Sequence, residues 1–287
     1  MHRYMLHNGE IRESSEKLVS PGQVGFMNGW GVFSTVRVSD GVLFEWPRHW
    51  ARIVKDAKLM RVPLPDSADW LEDSLLKLVE ANQAPNSTLR VVVVRNKGGA
   101  WEGPGVQRAF DVVAFTTGLN DWGTGVKLGV VPNARFGASK YSGTKVASWS
   151  FNLNWYEEAH ERGFDEVLLL NEHENIAECT SANLFAVFGD QLVTPPLTSG
   201  CLPGITRALL LELNAANAVE RDLKLADLER ADELFITSTT RDLLPVIEIE
   251  GLKIKTGHAA RDRMQAAFSQ HIRDYVAAHA RRPVSAV

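Results

Sequence analysis

Residues 174–187 read ENIAECTSANLFAV. Ile176, Leu184, Phe185 and Val187 are strand material, yet an acid, Glu178, sits among small residues, and Asn183 follows just before the apolar run resumes. An acid on a strand edge facing water is the plain explanation, because charged side chains are mostly exposed. The alternative is a carboxylate kept in place for its charge, and the rest of the chain has to decide between the two.

Upstream of this stretch, FDEVLLL (164–170) reads as a buried strand. Before it, ASWSFNLNWYEEAHERG (147–163) reads as an amphipathic helix closed by Gly163, entered from the polar loop SKYSGTK. VKLGVV (126–131) is a strand. Downstream, the strands turn at Gly189-Asp190, LPGITRALLLELN (202–214) passes from a Pro-Gly turn into a helix, and DELFITSTT and PVIEIEGLKI are further strands before a long C-terminal helix.

The first part of the chain is richer in strands. YMLHNGEIRE predicts a hairpin turning at Asn8-Gly9, and VFSTVRVSDGVLFEW another at Asp40-Gly41. PRHWARIVKDAKLMRV predicts a helix with Pro47 in its first turn and with Trp50, Ile53, Val54, Ala57 and Met60 facing a core. WLEDSLLKLVEAN is a second helix, and LRVVVVRN and FDVVAFTT are buried strands. GLNDWGTG, 118–125, is the linker candidate. The expectation is an α+β protein with a small N-terminal domain over 1–117 and a larger C-terminal domain over 126–287.

Composition narrows the function classes. Hydrophobic residues make up 45% of the 287 and charged residues 23%, an ordinary globular balance. The formal net charge of −4 leaves no basic footprint for nucleic acid. No apolar run approaches the length of a membrane span. Cys179 and Cys201 form neither a metal-binding spacing nor a disulfide framework. The expectation is a cytoplasmic protein with two buried thiols, no metal and no membrane or nucleic-acid partner.

Three features carry chemistry. A phosphate favours free backbone N–H groups at a helix start, and Gly204, Ile205 and Thr206 open one, with the hydroxyl-rich TSTT (237–240) as a second source of donors. Helix capping and a polar loop would explain both equally. Lys145 lies where the polar loop leads toward the helix, beside the apolar Val146, Ala147 and Trp149. Lysines are mostly solvated, but one in apolar surroundings has a depressed pKa and can attack a carbonyl carbon. A lysine, a carboxylate and a phosphate cup together are what pyridoxal 5'-phosphate requires: the lysine forms the Schiff base and an acid pairs with the pyridinium nitrogen. Glu178 is that acid on this reading.

The order and spacing of these motifs resemble the class IV aminotransferases, the fold type IV pyridoxal phosphate enzymes. That family includes branched-chain and D-amino acid aminotransferases and aminodeoxychorismate lyases. The resemblance covers nearly the whole chain. HWARI resembles the phosphate-arginine helix, which implies Arg52 as a phosphate ligand. TKVASWSFNLNWYEEAHERGFDEVLLLN resembles the segment of the Schiff-base lysine, hence Lys145. IAECTSANLF resembles the segment whose glutamate meets the pyridine nitrogen, hence Glu178. LPGITR and TSTTRDLLPV resemble the phosphate cup, implying Ile205, Thr206 and Thr239. Branched-chain aminotransferases carry a tyrosine five residues after the lysine, where this chain has Ser150. The resemblance further implies two α+β domains with the cofactor between them and a homodimer.

The implied reaction is transamination between an amino acid, or an amine, and a 2-keto acid, with Lys145 moving the Cα proton. Substrate candidates lie on predicted strands. Arg37, Arg90 and Arg95 could receive a carboxylate. Phe33, Thr35 and Arg37 alternate and so share a face, and Thr240 lies in the second loop. Ion pairing within the fold would equally explain Arg90 and Arg95. GVFSTVRV also resembles aminodeoxychorismate lyases, which keep a threonine at the position of Thr35 and release pyruvate and 4-aminobenzoate. That elimination is the second expectation.

Overall fold

The computed structural model describes residues 1–99, 102–103, 106–214 and 217–280. Its contacts divide the chain into two compact units: Met1–Asn120 with Lys145–Ser148 and Ile272–Val287, and Asp121–Thr144 with Trp149–His271. Residues 281–287, the end of the C-terminal region expected from the sequence, lie outside the described residues. No helix among the described residues is long and apolar enough to cross a membrane.

In the first unit, Tyr4–His7 (β1) and Glu10–Glu13 (β2) form a hairpin. Its turn residues Asn8 and Gly9 take φ of 51° and 90°, which a two-residue hairpin turn requires and Asn-Gly adopts readily. Then come Val24–Asn28 (α1), Gly31–Ser39 (β3), Val42–Leu43 (β4), Trp46–Met60 (α2), Ala68–Ala81 (α3), Ser87–Arg95 (β5) and Phe110–Thr117 (β6). Among the described residues the six strands form one antiparallel sheet in the order β2-β1-β6-β5-β3-β4. Strand alternation sends Val32, Val36, Leu89, Val91 and Val112 to one face, where they pack with Ile53 and Ala57 of α2 and Leu71, Leu75 and Leu78 of α3. The opposite face carries Phe33, Thr35 and Arg37, with Arg90 directly across from Thr35.

Two elements of the first unit differ from the sequence expectation. Val54 is 40% exposed rather than in the core. The buried stripe of α2 runs through His49, Arg52, Ile53, Asp56 and Ala57, and at 3.6 residues per turn Val54 falls outside it. The strand after the Asp40-Gly41 turn is only two residues long, because Glu45 adopts φ of 55° and turns the chain into α2.

The second unit contains Val126–Arg135 (β7), Ser150–Glu161 (α4), Glu166–Asn171 (β8), Ile176–Cys179 (β9), Asn183–Phe188 (β10), Gln191–Thr194 (β11), Ile205–Leu213 (α5), Ala218–Glu220 (β12), Leu225–Leu228 (α6), Glu233–Ser238 (β13) and Asp242–Ile249 (β14). Among the described residues they build an eight-stranded sheet, β12-β11-β10-β13-β14-β7-β8-β9. It is mixed, with β11–β12, β14–β7 and β7–β8 parallel. Leu128, Leu168, Leu184, Val193, Ile236 and Val246 form its core, and Phe185 stacks on Phe235 at 5.4 Å. The C-terminal helix is Ala259–His279 (α7). The helix α4 starts at Ser150, three residues later than its apolar pattern suggests, because the backbone of 145–147 bonds to β3 instead.

Asp111 ties the first unit together at its base. It is fully buried and accepts hydrogen bonds from Asn8 Nδ2 at 2.6 Å, Arg108 Nε at 2.7 Å and Gln23 Nε2. Burial alone would raise its carboxyl, but these donors outweigh it and hold the group below the ordinary value. A depressed carboxyl adds stability that is present above its unfolded value near ~3.9 and is lost as pH falls through the folded value. Asp111→Asn should therefore lower the melting temperature at pH 7 by leaving donors poorly matched, at a cost of about 1–3 kcal/mol. It should also lose less stability than the parent below about pH 4. Melting curves across pH test both.

Candidate active site

Because β4 pairs only with Val38 and Ser39, the Gly31–Val36 edge of β3 is left open. The Lys145 segment takes it. Val146 bridges Val32, Phe33 N–H donates to Lys145 C=O at 3.0 Å, and Ala147 N–H donates to Gly31 C=O at 2.9 Å. Lys145 N–H in turn donates to Asp56 Oδ2 at 3.0 Å. The lysine is thus set by sheet pairing, not by the helix start that its sequence neighbours suggest. Its Nζ lies 4.6 Å from the centre of the Phe33 ring, and the Arg90 guanidinium lies 4.0 Å from the same ring. Cations favour such ring faces.

Arg52 projects from α2 into the same unit, where it is 9% exposed. Its Nη2 donates to Ser34 Oγ at 2.9 Å, and Ser34 Oγ lies 2.7 Å from His49 Nδ1. Burial lowers the Arg52 pKa to about 10, with Asp56 opposing the shift, so the guanidinium stays cationic at neutral pH. Burial, then the charges of Arg52 and Lys145, push His49 well below its ordinary value. His49 is therefore neutral, and the Ser34 hydroxyl can accept from Arg52 while donating to His49. Burial also lowers the pKa of Arg90. Thr35 and Arg37 share the face of Phe33 and Arg90, but Arg95 does not. Its Nε and Nη1 donate to the Lys97 and Arg61 carbonyls, and it stacks on Trp30 at 4.3 Å. Odd spacing from Arg90 puts it on the other side of β5.

In the second unit Glu178 is 9% exposed, not an edge acid in water. Its Oε1 accepts from Arg135 Nε at 3.0 Å and its Oε2 from the Leu202 N–H at 3.0 Å. Each carboxylate oxygen keeps a further lone pair. The Leu202 contact joins the Glu178 strand to the turn that opens α5. Gly204 is the N-cap of that helix and offers it no side-chain cap. The first N–H groups, at Ile205 and Thr206, have no acceptor within the helix, so the end suits an anion. Thr239 and Thr240 lie half-buried at the β13–β14 turn, where Trp122 Nε1 donates to the Thr240 carbonyl at 2.9 Å. Arg241 anchors that turn. It donates to Ser181 Oγ at 2.7 Å and to the fully buried Glu166 at 3.2 Å.

The family model of amino-transferase class IV matches residues 31–249. The chain belongs to the class IV aminotransferases. It is 30% identical over 260 residues to a D-alanine aminotransferase of Bacillus licheniformis, covering 88% of this chain and 90% of that protein. It is 30% identical over 252 residues to a putative branched-chain-amino-acid aminotransferase of Methanocaldococcus jannaschii, covering 85% and 87%. The crystal structure of the Escherichia coli branched-chain amino acid aminotransferase superposes with a TM-score of 0.86 at 25% identity, covering 94% of each chain.

In this class IV aminotransferase, sequence reasoning passed over Asp56, Ser34, His49 and Arg135. The first had a signal. His49, Arg52 and Asp56 are spaced by three and four residues, the spacing of one helix face. Arg135 had none, being 43 residues from Glu178 and joined to it only by folding. Gly204 has a reason of its own, since a Cβ there would overlap Asn183 Oδ1. Gly204→Ala should lose about 1–3 kcal/mol in urea unfolding through overpacking. Shortening Asn183 to alanine in the same chain should recover part of that loss, so the two changes should be non-additive.

Proposed function

We propose that this enzyme transfers an amino group between an amino acid and a 2-keto acid, with pyridoxal 5'-phosphate held by Lys145, Arg52, Glu178 and the start of α5. The enzyme is a pyridoxal phosphate-dependent class IV aminotransferase, and the buried Arg52 guanidinium, the Glu178 carboxylate and the uncapped start of α5 fit that cofactor. The observation that supports this reading most is a single lysine, Lys145, held at both its backbone groups with its amine on the Phe33 ring. When bound, the cofactor supplies a carbonyl carbon for an amine and a ring that withdraws electrons from the substrate's Cα.

The chain's own residues supply the rest. Lys145 would hold the cofactor through Nζ and, when that nitrogen is free, would serve as the base that moves the Cα proton. Glu178 keeps a proton on the ring nitrogen by direct charge pairing. Arg135 and the Leu202 N–H orient that carboxylate and leave it acceptor capacity. Arg52, oriented by Ser34, receives the phosphate together with the N–H groups of Ile205 and Thr206 and the hydroxyls of Thr206 and Thr239. Arg90, stacked on Phe33 beside Thr35 and Arg37, is the first choice for a substrate carboxylate. Thr240 is a further candidate for a polar contact with the substrate. Arg95 is committed to backbone carbonyls and Trp30 and does not take this role.

The enzyme acts as a cytoplasmic homodimer on this reading. Cys179 and Cys201 are free thiols, as a reducing compartment keeps them. Phe136, Phe151 and Leu153 stand exposed, apolar surface that a second copy would cover.

The deciding experiment is a donor screen with D- and L-amino acids against pyruvate and 2-oxoglutarate, run beside aminodeoxychorismate. Keto-acid formation that depends on an acceptor, with double-displacement kinetics, is expected. Release of 4-aminobenzoate without any transfer would overturn the reading in favour of the lyase. Lys145→Ala should leave a folded protein without turnover and without the visible absorbance of bound cofactor. Glu178→Gln keeps the shape but not the charge. Its single-turnover rate should fall about a hundredfold, on the order of 3 kcal/mol, with cofactor occupancy nearly unchanged. A near-normal rate would remove Glu178 from the chemistry.

A further inference from the structure

Arg52 and Asp56 are four residues apart on α2 and share one face of it. Asp56 is 2% exposed, in a stripe otherwise continued by Ile53 and Ala57. A buried carboxylate at such a position is costly unless it is partnered, and an apolar side chain would pack there at less cost. The partner that accounts for it comes from far along the chain. Lys145 donates its backbone N–H to Asp56 Oδ2 at 3.0 Å. The carbonyl of the same residue accepts from Phe33 N–H at 3.0 Å. Lys145 is therefore pinned on one side to a helix and on the other to a sheet edge. Burial raises the Asp56 carboxyl, against the Lys145 N–H and the charges of Arg52, Lys55 and Lys145, which all favour its ionised form.

We propose that Asp56 is a positioning residue for the reactive amine. Its carboxylate holds the Lys145 backbone to α2, one turn from Arg52, so that amine and phosphate-binding guanidinium keep a set separation. The inference rests on the reading that Lys145 and Arg52 hold pyridoxal phosphate. Its physical basis is that a lysine side chain is long and flexible, so its amine is only as well placed as its Cα. A misplacement of about 1 Å can cost on the order of a hundredfold in rate.

The probe is pyridoxal, which carries the aldehyde without the phosphate and so reports on the lysine apart from the phosphate-binding groups. It is mixed with the full-length chain stripped of cofactor. The Lys145 nitrogen adds to the aldehyde carbon, water leaves, and borohydride fixes the product for counting and mapping by mass. Asp56→Ala should slow this capture about tenfold or more, while Asp56→Asn, which keeps an oxygen for the N–H, should stay within about threefold of the parent. A folded Asp56→Ala chain that captures at the parent rate overturns the proposal. So does an Asp56→Asn chain slowed as much as Asp56→Ala. Label that maps away from Lys145 and persists in Lys145→Ala instead overturns the lysine assignment. If Asp56→Ala does not fold, residue-resolved amide exchange of the parent decides. The Lys145 amide should exchange at least about tenfold more slowly than in an unstructured chain, and exchange at the unstructured rate overturns the role.

Discussion

The pairing of Lys145–Ala147 with the edge of β3 is the contact that sets the place of Lys145 in the first unit. An open strand edge presents unpaired N–H and C=O groups that another segment can fill. This edge is open because Glu45, with φ of 55°, ends β4 after two residues and starts α2. One local turn therefore does two things. It frees the edge that receives Lys145, and it launches the helix that carries His49, Arg52 and Asp56. Phe33, on the same strand, contributes its N–H to the Lys145 carbonyl and its ring to the Lys145 and Arg90 cations.

Electrostatics in this unit is a contest between burial and pairing. Burial removes water from Arg52, Arg90, His49 and Asp56 and disfavours the charged form of each. The outcomes differ with intrinsic pKa. A guanidinium lowered to about 10 remains a cation at pH 7, whereas an imidazole starting near ~6.5 does not. His49 is then a neutral acceptor for Ser34, which leaves Ser34 free to accept from Arg52. The result is a buried cation bonded to the Ser34 hydroxyl and favoured by the charge of Asp56 one turn away, a group able to make a charge-assisted hydrogen bond to an anion.

In the second unit the carboxylates are clamped by cations of their own chain. Glu178 meets Arg135, and Glu166 meets Arg241 together with Thr180 and Ser181. Such buried pairs contribute little net stability, because desolvation offsets most of the attraction. Their value is in orientation. The Glu166–Arg241 pair joins the Thr180–Ser181 turn, two residues beyond Glu178, to the turn of Thr239 and Thr240. The Glu178–Leu202 contact joins the same strand to the start of α5. Both loops read as phosphate donors in the sequence are thus held by contacts to the segment that bears the acid.

Local chemistry made much of this legible from the sequence alone. Asn8-Gly9 and Asp40-Gly41 turn where their tolerance of positive φ predicts, the strand and helix periods place most elements, and the α+β class and the family follow from motif order. Lys145, Glu178 and Gly204 each have a plain local explanation when taken singly, and it is their combination that points to one chemistry. Other features needed the folded chain. The amphipathic pattern after Lys145 runs into α4, yet residues 145–147 pair with β3, because sheet hydrogen bonds from a distant strand outweigh local helix preference. Arg90 and Arg95 look alike in sequence, and only strand alternation and the Lys97 and Arg61 carbonyls separate them. Arg135 carries no signal in the sequence, and the helix spacing that marks Asp56 does not point to Lys145; their partners lie 43 and 89 residues away. A sequence records which groups can form a hydrogen bond. Which of them meet is decided when the backbone closes those distances and burial makes an unpaired polar group costly.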